Sequence, residues 1–139
     1  MFKILISILV LSMFVFASQR NLKTSSGPYL IYKIDSIHSY YLVYAKKNDS
    51  VYKILSKKAG FVSCSQLQVN KDYQMNLFSI WNQDIWVGGV NVNPALNLNV
   101  TCLGLDDSTS VCIERDKGIY DLFSTNDLKG LCYQPVVKN

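Results

Sequence analysis

The chain has 139 residues, with 14 Lys and Arg against 10 Asp and Glu, a formal net charge of +4, 49% apolar residues and 17% charged ones. That balance excludes a disordered chain, a collagen and a coiled coil. The length allows one domain and hardly two.

Residues 1–17 read as a secretory signal peptide. Lys3 precedes an apolar run from Ile4 to Phe16, and Val15-Phe16-Ala17 offers small side chains where a signal peptidase cuts. The run is shorter than the ~20 residues of a membrane span. Ser18, not Cys, follows the expected cut, which excludes a lipid-modified N-terminal cysteine. No second stretch of spanning length follows. The mature chain is therefore expected to start at Ser18 and to be secreted or periplasmic, without a membrane span once the signal is removed.

Residues 18–28 are polar, end in Gly27-Pro28 and read as a flexible leader; residues 29–139 read as a single β-domain. Three β-prone runs follow, Tyr29 to Ile37, Tyr40 to Lys46 and Val51 to Lys57. Short turn clusters around His38 and at Asn48-Asp49-Ser50 separate them, the pattern of an antiparallel meander. Tyr32-Lys33-Ile34 in the first run is echoed by Tyr52-Lys53-Ile54 in the third. The echo implies similar environments, Tyr and Ile on one face and Lys on the other. Tyr73, Met75 and Leu77 alternate with Gln74 and Asn76, as in a strand with one wet face. Residues 81–93, with Trp81, Trp86 and Gly88-Gly89, read as a loop with short extended pieces. Leu96 to Cys102 alternates again, Asp106 to Thr109 turns, and Ser110 to Glu114 returns as a strand. Tyr120 to Leu131 hints at short helical turns broken at 124–127. The whole predicts an all-β fold, a small antiparallel barrel of OB-like type with little helix, and a two-sheet β-sandwich as the alternative.

Cys64, Cys102, Cys112 and Cys132 allow three pairings. They lack the short ligand spacing of a zinc site, so they read as structural disulfides, and no metal or cofactor is expected. With Asp106 to Thr109 as a four-residue loop, Leu105 pairs with Ser110 and Cys102 lies opposite Ile113. Cys102 and Cys112 then point to opposite faces and are not expected to bond. The favoured pairing is Cys64–Cys102 with Cys112–Cys132.

Acid–base chemistry has few carriers. His38 is the single His, Glu114 the single Glu, and the nine Asp lie mostly in turns. No nucleophile elbow, zincin or phosphate-loop motif is present, and no catalytic residue is assigned. Charge is uneven: residues 18–71 hold nine basic and two acidic side chains, residues 72–139 four basic and eight acidic. Within the meander, Tyr41, Tyr44, Lys46, Lys53 and Lys57 form a basic, aromatic surface suited to a polyanion. For an exported protein that means an anionic glycan rather than nucleic acid.

Tyr44-Ala45-Lys46-Lys47-Asn48-Asp49-Ser50 with Tyr52-Lys53-Ile54, and Asp121-Leu122 with Leu128-Lys129-Gly130-Leu131-Cys132, resemble a loosely defined group of small, uncharacterised exported proteins of anaerobic Gram-negative gut bacteria. The resemblance covers about half the mature chain. It implies a bacterial source and a periplasmic or secreted location, and it carries no activity. The functional expectation is an exported, non-catalytic β-domain that binds an envelope protein or a glycan. The alternative is a small extracytoplasmic hydrolase or inhibitor-like protein using the loop 81–93.

Overall fold

A computed structural model describes residues 24–60, 63–81, 86–87, 90–91 and 100–136. Residues 1–17, read as a signal peptide, and most of the loop at 81–93 lie outside the described residues. The elements are β1 (Thr24–Ile37), β2 (Tyr40–Lys47), β3 (Ser50–Lys57), β4 (Lys71–Ser79), β5 (Trp86–Val87), β6 (Val90–Asn91), β7 (Cys102–Asp106), β8 (Thr109–Cys112), β9 (Leu122–Thr125), β10 (Leu128–Lys129) and β11 (Cys132–Tyr133). Among the described residues a 3-10 turn occupies Arg115–Lys117.

The fold is all-β. Five strands close into a barrel in the order β1-β2-β3-β9-β4, with β4 returning to β1. This is the small, OB-like barrel the strand pattern predicted, and not the two-sheet sandwich. One pair departs from the antiparallel expectation: β9 runs parallel to β3 and antiparallel to β4. Closure depends on the length of β1. Its first half pairs with β4, from Thr24↔Phe78 to Ile31↔Lys71, and its second half with β2, from Leu30↔Lys46 to Ile37↔Tyr40. A bulge between Ile31 and Lys33 bends the strand between its two partners. Residues 24–28 are thus strand, not flexible leader, because β4 supplies hydrogen-bond partners that no local sequence feature announces. Gly27 has φ 142°, a backbone conformation that side-chain-bearing residues rarely adopt, so the position favours glycine.

The same bulge corrects the repeat reading. Ile34 and Ile54 both face the barrel interior, but Tyr52 packs inward while Tyr32 packs on the outer surface. Lys33 is exposed and Lys53 is buried. One extra residue in β1 shifts the phase that the two segments share in sequence.

The β1–β2 and β2–β3 turns are two residues each, His38-Ser39 and Asn48-Asp49, with His38 and Asn48 at φ 44° and 53°. A positive φ at the first turn residue is what tight hairpins of right-twisted strands demand. The hint of helix at 120–131 is overturned. Leu122 faces the outer cluster and Phe123 the barrel interior, a period of two.

The core has two parts. Tyr29, Ile31, Val43, Ala45, Ile54, Met75, Leu77 and Phe123 are among the residues that fill the barrel. Outside it, Leu42, Tyr44 and Leu55 from β2 and β3 are covered by Val111, Ile119 and Leu122, with Leu103, Leu105 and Ile113 packed alongside. The β7–β8 hairpin therefore lies flat on the outer β2–β3 face.

The disulfides are Cys64–Cys132 and Cys102–Cys112, the pairing the sequence reading excluded. Asp106 does pair with Thr109, which continues the expected register at the turn. A bulge between Gly104 and Asp106 then shifts the ladder by one, so that Leu103 opposes Val111 and Cys102 opposes Cys112. The shift is imposed by burial: Leu103 and Val111 must both face the barrel, and only this register places them on the same side. Cys64 meets Cys132 because residues 65–67 run beside 131–133. Leu67 N donates to Leu131 O at 2.7 Å and Tyr133 N to Ser65 O at 3.0 Å.

Asp127 ties the C-terminal segment to the barrel. It is 1% exposed. One carboxylate oxygen accepts from Asn76 N at 2.7 Å and the other from Val136 N at 2.8 Å. Replacing it with alanine strands these donors and is expected to lower stability by about 2–3 kcal/mol, measured by urea unfolding, with Asp127→Asn milder.

Candidate functional site

The basic, aromatic residues singled out in the meander are divided by the fold. β2 and β3 pair with Tyr40 opposite Lys57 and Lys46 opposite Val51. Lys46 and Lys57 therefore stand at opposite ends of the hairpin, roughly 20 Å apart at the usual rise per residue. Tyr41 faces the Lys57 end, beside Gly130, with the Lys58 ammonium 5.3 Å from its ring centre. Tyr41 and Lys57 belong to a different surface from the other three.

Tyr44, Lys46 and Lys53 do come together, with partners the sequence reading missed. All lie on the outer face of β2 and β3, where alternation sends them away from Val43, Ala45 and Ile54. The bulge in β1 adds Tyr32 and Lys33 to the same face, with Lys33 opposite Tyr44. The Tyr32 and Tyr44 rings lie 6.1 Å apart. The Lys46 ammonium stands 4.9 Å from the Tyr32 ring centre and that of Lys33 4.9 Å from the Tyr44 ring centre. These are favourable cation–π distances. Lys33 also meets Asp35 at 2.9 Å, both half-exposed. The Lys33 hydrogen bond and charge hold the Asp35 carboxyl below its usual range.

Beneath this surface is a buried anchor. The Lys53 side chain is 5% exposed, and its ammonium contacts Glu114 Oε1 at 2.6 Å and donates to Cys112 O at 2.9 Å. The Tyr44 hydroxyl donates to the same Glu114 oxygen at 2.8 Å, and Lys117 pairs with the other oxygen. Burial pushes the Glu114 carboxyl up. Hydrogen bonds from Lys117, Lys53 and Tyr44, together with the Lys53 charge, outweigh it and hold the carboxyl at about 2. Burial and the neighbouring Glu114 raise the Tyr44 phenol above its ordinary value. The chain's single glutamate is thus an ionised clamp that fastens the segment after β8 onto the β2–β3 face. A carboxylate so strongly held as an anion is a poor proton donor near neutral pH. Lys53 and Tyr44 are structural partners in this clamp and not an open contact surface.

What remains open is the rim: Tyr32, Lys33, Lys46 and Lys117. Tyr32 is partly covered, and burial raises its phenol, as does Glu114, while Lys117 and Lys33 act against them. Counting the clamp, the patch holds four lysines against Glu114 and Asp35, a local charge of +2. Lysine ammoniums beside the partly exposed Tyr32 face suit an anionic group joined to a ring with an apolar face.

His38 sits at the β1–β2 turn with Nδ1 3.1 Å from Thr109 Oγ1, a contact between the turn and the hairpin. Trp81, from the loop of the alternative reading, is 9% exposed and packs in the outer cluster instead of lining an open cleft. The single-Glu count was the one available sign of the clamp. Tyr32, Lys33 and Lys117 join the site only through the bulge and the long return from β4.

Two disulfides fit an oxidising compartment, and no helix among the described residues is long and apolar enough to cross a membrane. In comparisons with protein-family models, curated proteins and solved structures, the chain matches none.

Proposed function

We propose that the protein is an exported, non-catalytic β-domain that binds an anionic glycan through Tyr32, Lys33, Lys46 and Lys117. The observation that carries this reading is the partly open Tyr32 ring with the Lys46 ammonium 4.9 Å from its centre and the exposed Lys33 on the same face. Residues 1–17, read as a signal peptide, and the two disulfides support a secreted or periplasmic location. A glycan is favoured over an envelope protein because the patch is polar and lysine-rich, whereas protein-binding centres are depleted in Lys.

Binding of the full-length mature chain to immobilised heparin and to polygalacturonate tests the proposal. Affinity is expected to fall steeply as salt rises. The double variant Lys33→Glu/Lys46→Glu is expected to bind about tenfold or more weakly, each reversal costing on the order of 1 kcal/mol. Lys57→Glu, at the far end of the hairpin, serves as the control and should leave affinity unchanged. Equal loss in both variants would mean a diffuse charge effect, and no retention on either matrix at low salt would end the glycan reading.

A further inference from the structure

We propose that Asp35 is an internal competitor at this site: its carboxylate holds Lys33 in the free protein, and an acid group of the bound glycan takes its place. The inference rests on the anionic-glycan reading above and adds to it the group that limits how tightly the ligand is held. Lys33 and Asp35 lie two residues apart on β1, beyond the bulge, and both are exposed on its outer face. The Lys33 ammonium stands 2.9 Å from Asp35 Oδ2 and 4.9 Å from the Tyr44 ring centre, so a carboxylate and a ring already engage it before any ligand arrives. The Ser36 amide also donates to the Asp35 carboxylate and holds it in place.

The rim lysines differ in what a ligand has to displace. Lys46 stands over the Tyr32 ring. Lys117 pairs with Glu114, but that carboxylate is also held by Lys53 and Tyr44 and is mostly buried, so it stays where it is. Asp35 is held far more loosely. Its side chain and that of Lys33 are both half-exposed. Ion pairs in that setting are weak, worth a few-fold in an equilibrium at most. An arriving acid group can therefore replace Asp35 at Lys33. The exchange puts one carboxylate in place of another at the same ammonium. Lys33 then adds to affinity only what the incoming acid gains over the tethered one. Asp35 also repels the ligand as long as it stays ionised beside the patch. Removing its charge should free Lys33 for the ligand. Asp35→Asn does so while keeping the size of the side chain and an oxygen that can accept from the Ser36 amide.

Calorimetry with polygalacturonate and heparin as probes, at a fixed salt concentration, tests the competition. Asp35→Asn should bind both about two- to fivefold more tightly than the parent, the range an exposed ion pair can supply. A double-mutant cycle separates release of Lys33 from a general change in charge. In a Lys33→Gln background, Asp35→Asn should bring little of that gain, because there is no ammonium left to release. Circular dichroism confirms that each variant folds. If Asp35→Asn binds as the parent does or more weakly, Asp35 is no competitor. If its gain is undiminished in the Lys33→Gln background, Asp35 acts only as a diffuse charge and the exchange at Lys33 is refuted. In either case loss of binding in Lys33→Glu/Lys46→Glu would leave the glycan reading standing. If that double variant also binds as the parent does, both fall.

Discussion

Replacing Glu114 with alanine should destabilise the protein by about 3–5 kcal/mol, because it leaves the Lys53 ammonium buried without a countercharge. Lys53 is 4% exposed and keeps only the Cys112 carbonyl among its two hydrogen-bond partners. Tyr44 loses its acceptor in the same step. Urea unfolding measures the loss. The companion variant Lys53→Met/Glu114→Leu removes both charges, and it should recover most of the stability, as buried pairs exchanged for apolar side chains commonly do. A small effect of Glu114→Ala would mean that the clamp does not hold the hairpin. The clamp also sets an acid limb. The Glu114 carboxyl lies near 2 in the fold against 4.5 ordinarily. Between those values the unfolded chain binds more protons than the native one, so stability rises with pH. The contribution is fully present above 4.5 and is lost as the pH falls toward 2. Discounted for solvent screening it amounts to about 1–2 kcal/mol, and Glu114→Gln should flatten that part of the curve.

Removal of the two disulfides should produce unequal losses, with the long-range bridge dominant. Cys64–Cys132 spans 68 residues of sequence and Cys102–Cys112 only 10. On the loop-entropy scale these correspond to about 4 and about 2.5–3 kcal/mol. Serine substitution of each pair, followed by urea unfolding, should show this order. Proteolysis of the unreduced protein should release one fragment linking Cys64 to Cys132 and another linking Cys102 to Cys112. A fragment joining Cys64 to Cys102 would instead restore the pairing drawn from the sequence and require a different hairpin register. The short bridge also carries a local consequence. It closes the hairpin whose Cys112 carbonyl receives the Lys53 bond, so its loss should lower the cooperativity with which the hairpin and the clamp unfold.

What the sequence by itself determined is what depends on local periodicity. Tyr73-Gln74-Met75-Asn76-Leu77 could bury only alternate residues, so a strand with one wet face followed, and the barrel interior took Tyr73, Met75 and Leu77. The turns at His38 and Asn48-Asp49-Ser50 were likewise legible, since few residues accept positive φ cheaply. The tertiary structure decided everything that depends on a phase shift or a distant partner. The β1 bulge moved Tyr32 and Lys33 onto the face of Tyr44 and Lys46, and the β7 bulge brought Cys102 opposite Cys112. Neither is written in composition, because a single extra residue leaves the local pattern almost unchanged while reversing every side chain beyond it. The fate of Lys53 was also a tertiary matter. On an isolated meander it reads as a solvated cation. Under the β7–β8 hairpin it is buried, and the cost of desolvating it is met only because Glu114, sixty-one residues away, arrives at the same place.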